Sequence, residues 1–214
     1  MSRKLKKIIS AQDRHAIENA VREAEAKTSG EIVPVVTARS SHYDWIGYRA
    51  SLIGWAAASL LILWAHFFRP FMLEFWEAEA LQVTGLVAGW LLSRFSFGIR
   101  LLVPDVVLEE EVDHAAAASF MRNGLSNTRD RTGVLIFVSL RERRVRILAD
   151  KGIHDHVGEN FWNQEVDRIV ASIQEGSPAR GMTEAIRSIG DRLSKHFPPR
   201  PDGKNELPDR VRSE

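Results

Sequence analysis

The chain has 214 residues, and its 29 lysines and arginines nearly balance 28 aspartates and glutamates, so the formal net charge is +1. A charge this small gives no long-range field that would attract nucleic acid, and we expect no nucleic-acid partner. Cysteine is absent from the sequence, which excludes disulfides, thiolate catalysis and cysteine-ligated zinc.

Residues 1–45 are predicted to form the first part of a water-soluble domain. The basic start, Met1–Lys7, is not followed by the apolar stretch of a secretory signal, so we expect the N-terminus in the cytoplasm. Apolar residues at helical spacing predict a helix over Ala11–Lys27. Glu31–Thr37 then predicts a strand, in which Pro34 favours an edge or a bulge because it cannot donate a ladder hydrogen bond.

Two apolar runs within residues 46–103 predict a transmembrane helical hairpin. The runs are Ile46–Phe68 and Ala80–Ile99, and at about 1.5 Å per residue each can cross a hydrocarbon layer about 30 Å thick. Aromatic residues cluster near the ends of the runs, as membrane interfaces favour. The alternative is a hairpin buried in a soluble core, which helices apolar on every face disfavour.

Arginines determine the predicted orientation of the hairpin. Arg39, Arg49, Arg94 and Arg100 flank one side, whereas the connection Arg69–Glu79 carries mostly acidic charges. Because positively charged flanks stay in the cytoplasm, we predict a multi-pass protein of a bacterial-type inner membrane, with both termini and the soluble domain cytoplasmic. Its expected partners are the lipid bilayer and other membrane proteins.

Small residues at four-residue spacing let membrane helices approach closely. Gly85 and Gly89 have this spacing in the second run. Two interpretations stay open: these glycines pack against the first run of the same chain, or they form a homodimer interface.

Residues 104–197 are predicted to complete the soluble domain, and residues 198–214, rich in proline and charge, to form a disordered tail. The predicted elements are a helix from Pro104 to Gly124, strands over Gly133–Leu140 and Arg144–Asp150, and helices over Gly158–Gln174 and Met182–His196. This order predicts an α/β fold, with a small mixed sheet and helices on both faces in an α/β/α sandwich, interrupted by the hairpin.

Four blocks carry a family resemblance: Thr28–Val33, Arg131–Ile147, Lys151–Ile153, and Glu175-Gly176 with Gly181-Met182. In this order they resemble the TPM domain family, also described as thylakoid-lumen phosphatase-like or YgcG-like. The blocks cover most of the chain outside the hairpin and the tail. Typical members of the family export the domain and anchor it by a later span, whereas here the hairpin follows the first strand.

The resemblance also implies a metal site. Many members have an acidic-Asn-Gly step before the central strand, associated with divalent-cation binding in some relatives. This chain has Asp130-Arg131-Thr132-Gly133 at that place, and the added arginine disfavours metal binding there.

The densest polar cluster, Asp150–His156 with Glu159, lies at the end of a predicted strand, where open α/β sheets place their ligands. Its imidazoles and carboxylates suit a divalent cation such as Ca²⁺ or Mg²⁺. The candidate metal ligands are Asp130, Asp150, His154, Asp155 and His156. In the alternative interpretation they are surface residues that cap the helix beginning near Gly158.

Two further polar sets have structural alternatives. Ser40–Asp44 contains the residue types of a catalytic triad, but residues so close in sequence are more typical of a polar link into the membrane. Six arginines around the predicted strand hairpin are suited to phosphate groups or anionic lipid head groups, or else belong to a solvated strand face. They are Arg129, Arg131, Arg141, Arg143, Arg144 and Arg146.

The sequence contains no phosphate-cradling glycine loop, HExxH motif or cysteine nucleophile, and it assigns no catalytic or cofactor-binding residue. It therefore predicts a non-enzymatic interaction or accessory module for membrane proteins or complexes. The resemblance implies the alternative, an acid-phosphatase-like hydrolase that depends on a divalent metal. Its carboxylates would be Asp130, Asp150 and Asp155.

Overall fold

The structure is a computed structural model that describes residues 10–41, 44–68, 74–94, 103–154, 156–199, 207–208 and 210–213. The chain divides into two compact units. The first unit joins Met1–Ser41 to Glu109–Glu214, and the second comprises His42–Leu108.

Most of the helices and strands occur along the chain in the order that the sequence predicts. The helices are α1 (Ala11–Glu25), α2 (Asp44–Phe68), α3 (Phe75–Ser93), α4 (Asp105–Arg122), α5 (Lys151–His154), α6 (Glu159–Gln174) and α7 (Pro178–Leu193). The strands are β1 (Glu31–Thr37), β2 (Gly133–Ser139), β3 (Arg144–Ala149) and β4 (Arg212–Ser213). The last predicted helix begins earlier than expected, since Pro178 occupies its first turn, where a missing N–H costs nothing.

The four strands form one mixed sheet in the order β3-β2-β1-β4. β1 and β2 are parallel, and their register runs from Glu31 opposite Gly133 to Thr37 opposite Ser139. β2 and β3 form an antiparallel pair, joined by a tight turn. The predicted mixed α/β fold is confirmed.

Alternation along β1 and β2 divides their apolar side chains between two cores. Ile32 and Ile136 lie in a core with residues of α1, α6 and α7. Val33 and Phe137 lie in a second core with Val112 of α4 and its neighbours. Because both faces of the strands are covered, every residue of β1 and β2 is buried, as in a central strand.

The second unit is a closely packed pair of helices. A Cβ atom on Gly85 would lie 2.4 Å from the carbonyl oxygen of Gly54, and one on Gly89 would lie 2.1 Å from that of Ala50. Only glycine permits this approach between α2 and α3. Gly85 and Gly89 therefore pack against the first helix of their own chain, which agrees with the first of the two interpretations.

Among the described residues, one helix is long and apolar enough to cross a membrane. It covers Trp45–Phe67, with a mean hydropathy of 1.6. α3 carries Glu77, Glu79 and Gln82 in its first turns, which lower its hydropathy. The remainder of the second predicted span, up to Ile99, lies outside the described residues, so a hairpin of two spans is not confirmed.

β4 differs from the predicted disordered tail. It pairs in parallel with Val35 and Val36 of β1, and Leu207 packs against the core that contains Phe137. The Arg212 guanidinium also donates to the Asn123 side-chain oxygen. The few apolar residues of this charged segment thus pack against the domain and hold β4 at the edge of the sheet.

Pro34 lies in the part of β1 that β4 does not pair with in the described chain. The predicted edge position is wrong for β1, which lies between β2 and β4. Pro34 is tolerated there because its missing N–H interrupts no hydrogen bond to a described strand on that side.

Candidate functional site

The candidate site is centred on Asp150, between β3 and α5. Its carboxylate is buried, and Oδ1 accepts a hydrogen bond from the backbone N–H of Lys151 at 2.7 Å. Oδ2 lies 3.1 Å from Nε of Arg131, in an ion pair without the alignment of a hydrogen bond. Arg131 also donates from Nη1 to the carbonyl oxygen of Ser126 at 2.5 Å. The guanidinium therefore joins Asp150 to the loop that precedes β2.

Close backbone packing holds this loop in place. A Cβ atom on Gly152 would lie 2.6 Å from the carbonyl oxygens of both Asp130 and Arg131. The N–H of Gly152 donates to the Arg131 oxygen at 3.1 Å. Arg131 itself has a φ of 58°, a left-handed conformation that a non-glycine residue adopts only at a cost. The acidic-Arg-Thr-Gly step is thus a turn packed against the start of α5.

The five candidate metal ligands have different surroundings. Asp130 is exposed in the turn before β2, and Asp150 faces Arg131. His156 is exposed and stacks on His196, with 5.7 Å between ring centroids. Asp155 and the side chain of His154 lie outside the described part. Within the described residues, no three histidine, aspartate or glutamate side chains come together in a way that could hold a metal ion. Metal binding stays a prediction.

Sequence reasoning did not identify Glu142 as a buried group. The residue lies in the β2–β3 turn and is only 3% exposed. Its Oε1 accepts from the backbone N–H of Ser40 at 3.3 Å, and its Oε2 accepts from the hydroxyl of Ser139. Glu142 thus joins the turn to the segment that follows β1, at the carboxyl ends of two parallel strands. A single acidic residue between two arginines was the only sequence signal.

Three of the six candidate arginines form ion pairs inside the domain. Arg144 donates to Glu109 at 2.9 Å, and Arg146 pairs with Asp113, also on α4. Arg131 pairs with Asp150, as described above. These contacts favour the interpretation in which the arginines belong to a charged strand face. Ser40 of the predicted polar link contacts Glu142, while His42 and Tyr43 lie outside the described residues.

Residues 98–192, which include β2, β3 and the loops around Asp150, match the family model described as the TPM domain. This chain contains a TPM domain. No curated protein matches the sequence significantly. Among solved structures, the chain is similar to the NMR structure of the BA42 protein from the psychrophilic bacterium Bizionia argentinensis, with a TM-score of 0.60 and 22% identity. The alignment covers 96% of this chain and 95% of that chain, and at this identity it shows a shared fold.

We expect the Arg131→Ala variant to lose about 1–3 kcal/mol of the free energy of unfolding, because the buried Asp150 carboxylate of the TPM domain loses its only described cationic partner. Alanine keeps the Cβ atom at this positive φ, so backbone strain is unchanged. The measurement is denaturant unfolding of the detergent-purified protein. Lys151→Ala is the matched control, since it removes an exposed charge and keeps the backbone donor; we expect a change within about 0.5 kcal/mol. Equal losses in both variants would contradict a specific ion pair.

Proposed function

We propose that this chain is an integral membrane protein whose TPM domain faces the cytoplasm and serves as a non-enzymatic accessory module for other membrane proteins or complexes. One observation carries the proposal. α2 is apolar over Trp45–Phe67, yet only 11% of its apolar window is buried. An apolar helix in a soluble core would bury most of its surface, so this exposure favours a lipid environment.

The side chains on the outside of the helix pair support the same environment. Leu52, Leu60 and Phe67 of α2 are 62%, 66% and 74% exposed. Exposing apolar surface of this kind to water costs about 25 cal/mol per Å² of free energy. Contact with the hydrocarbon of a membrane would avoid this cost. Polar groups inside the pair are satisfied internally, since Gln82 donates to Ser59 across the helices at 3.1 Å.

Arginines and tryptophans at one end of the helix pair match the chemistry of a membrane interface. The Arg49 guanidinium lies 5.1 Å from the ring centroid of Trp45, at the start of α2. The Arg94 guanidinium lies 4.4 Å from that of Trp90, at the end of α3. Both pairs place a charge and an amphipathic ring where a helix would leave the hydrocarbon layer.

Sheet topology supports two crossings rather than one. β1 precedes α2, β2 follows α3, and the two strands are hydrogen-bonded neighbours. A single crossing by α2 would place these strands on opposite sides of the membrane, where they could not pair. If α2 crosses the membrane, the pairing of β1 with β2 supports a return crossing, for which α3 begins the available segment.

Charge around the helix pair supports the cytoplasmic orientation. In sequence, Arg39 precedes α2, Arg49 lies in its first turns and Arg94 follows α3, whereas Glu74 precedes α3 and Glu77 lies in its first turn. Because arginine-rich flanks are retained on the cytoplasmic side of a membrane, this distribution supports a TPM domain on the cytoplasmic side of a bacterial-type inner membrane.

The interactions of the buried carboxylates support a non-enzymatic role. Asp150 pairs with Arg131, and Glu142 accepts hydrogen bonds from Ser139 and Ser40. Each carboxylate therefore stabilises the domain through its own loops. The hydrolase alternative rests on the family resemblance and not on a geometric arrangement among the described residues.

Lysine substitutions at two depths of α2 test the anchor. Ile53→Lys with Leu60→Lys places two charges near the middle of Trp45–Phe67, where each costs about 2.5–3.5 kcal/mol. We expect this protein to leave the membrane fraction on alkaline carbonate extraction. Tyr48→Lys with Phe67→Lys, the matched control, places the same charges near the ends and should remain in the pellet. If both double variants behave like the wild type, α2 does not span the membrane.

Phosphatase activity is the direct test of the non-enzymatic assignment. We expect the detergent-purified protein to release no p-nitrophenol from p-nitrophenyl phosphate above a blank, with or without added Ca²⁺ or Mg²⁺. The reason is that the Asp150 carboxylate already forms an ion pair with Arg131. Turnover that Asp130→Asn or Asp150→Asn abolishes would instead establish the hydrolase alternative.

A further inference from the structure

A groove on the TPM domain runs between α6 and α7. Its volume is 560 Å³, within the size range of pockets that take small molecules. Phe161 and Arg168 of α6 line one wall, and Ser188 and Arg192 of α7 line the other, with Lys195 just beyond the helix. The groove contains more cationic than anionic side chains.

The walls of the groove are fixed by buried contacts. Glu165 of α6 is 2% exposed, and its Oε1 accepts from the hydroxyl of Ser188 on α7 at 2.7 Å. The opposite face of α7 is anchored in the core through Ile186 and Ile189. Because neither helix can shift without breaking these contacts, the groove exists before any ligand binds.

Two of the lining charges already have partners, one on α1 and one just after it. Arg187 pairs with Glu23 at 3.1 Å, and Asp191 pairs with Lys27 at 2.8 Å. These two charges cancel each other and are engaged outside the groove. Arg168 lies 3.6 Å from Glu165, so the charge of the buried carboxylate is also matched.

Two cations remain without a carboxylate partner in the described chain, Arg192 and Lys195. The Arg192 guanidinium is held over the Phe161 ring, 5.1 Å from its centroid. Its Nε is buried from solvent and has no described acceptor. The guanidinium is thus oriented in advance, with a donor unsatisfied.

We propose that Arg192 and Lys195 bind the phosphate group of a small organic phosphate in this groove. The planar guanidinium offers paired donors that match phosphate oxygens, and the lysine adds a point charge within the same turn. The groove is larger than a phosphate ion, so the remaining space accepts the organic part of the ligand. This site is independent of the membrane anchor.

Phenylphosphonate is the probe, because its carbon–phosphorus bond resists hydrolysis and its ring fills more of the groove than inorganic phosphate does. We expect the detergent-purified full chain to bind it in isothermal titration calorimetry. Arg192→Gln and Lys195→Gln should each weaken binding by about tenfold or more. Lys151→Gln is the matched control, since it removes an exposed cation that does not line the groove.

A second arm identifies the source of the phosphate. Nanodiscs that contain phosphatidic acid, compared with phosphatidylcholine alone, present the same group on a lipid. Binding that depends on Arg192 and Lys195 supports the site. Binding of phenylphosphonate indicates a soluble ligand, and binding to phosphatidic acid indicates a lipid ligand. Absence of binding in both arms, or equal binding by the wild type and the three variants, would overturn the proposal. Thermal unfolding of each variant shows that the fold is retained.

Discussion

The parallel pairing of β1 with β2 is the constraint on which the whole architecture depends. The seven residues of each strand are hydrogen-bonded along their full length, although the entire second unit lies between them in sequence. Closing so long a connection costs only slightly more than closing a short one, and burial on both sheet faces offsets it. Leu140 N–H to Thr37 O, at 3.1 Å, and the Glu142 contacts extend this pairing to the chain leaving β1. The two sequence segments therefore belong to one compact unit.

The strands could be predicted from sequence because their pattern has a single physical explanation. β1 and β2 are apolar on both faces, and the structure buries both, so the predicted and observed bounds nearly coincide. β4 could not be predicted, since a two-residue strand has no periodicity and depends on the distant contacts of Leu207 and Val211. The second predicted span is not confirmed for a related reason. Acidic residues early in α3 weaken its apolar pattern.

The candidate site was only partly accessible to sequence reasoning. The strand–helix junction identified Asp150, but its partner could not be deduced, since the ion pair depends on a left-handed Arg131 and on the close approach of Gly152. Glu142 resembled a surface charge because burial depends on Ser40, about a hundred positions away in the chain. The cationic groove was not found at all. Arg168 and Arg192 come from separate helices, and their convergence follows from antiparallel packing that a single helical pattern does not contain.

Single-cysteine labelling measures the central claim, that the chain crosses the membrane and returns, most directly, because the sequence contains no cysteine of its own. Glu74→Cys places a thiol in the connection between α2 and α3, and Met121→Cys places one at a position of α4 that is 74% exposed. A membrane-impermeant maleimide should label the Glu74→Cys protein in intact cells and the Met121→Cys protein only after permeabilisation. Labelling of both proteins only after permeabilisation would show that the connection never crosses, and would contradict the account.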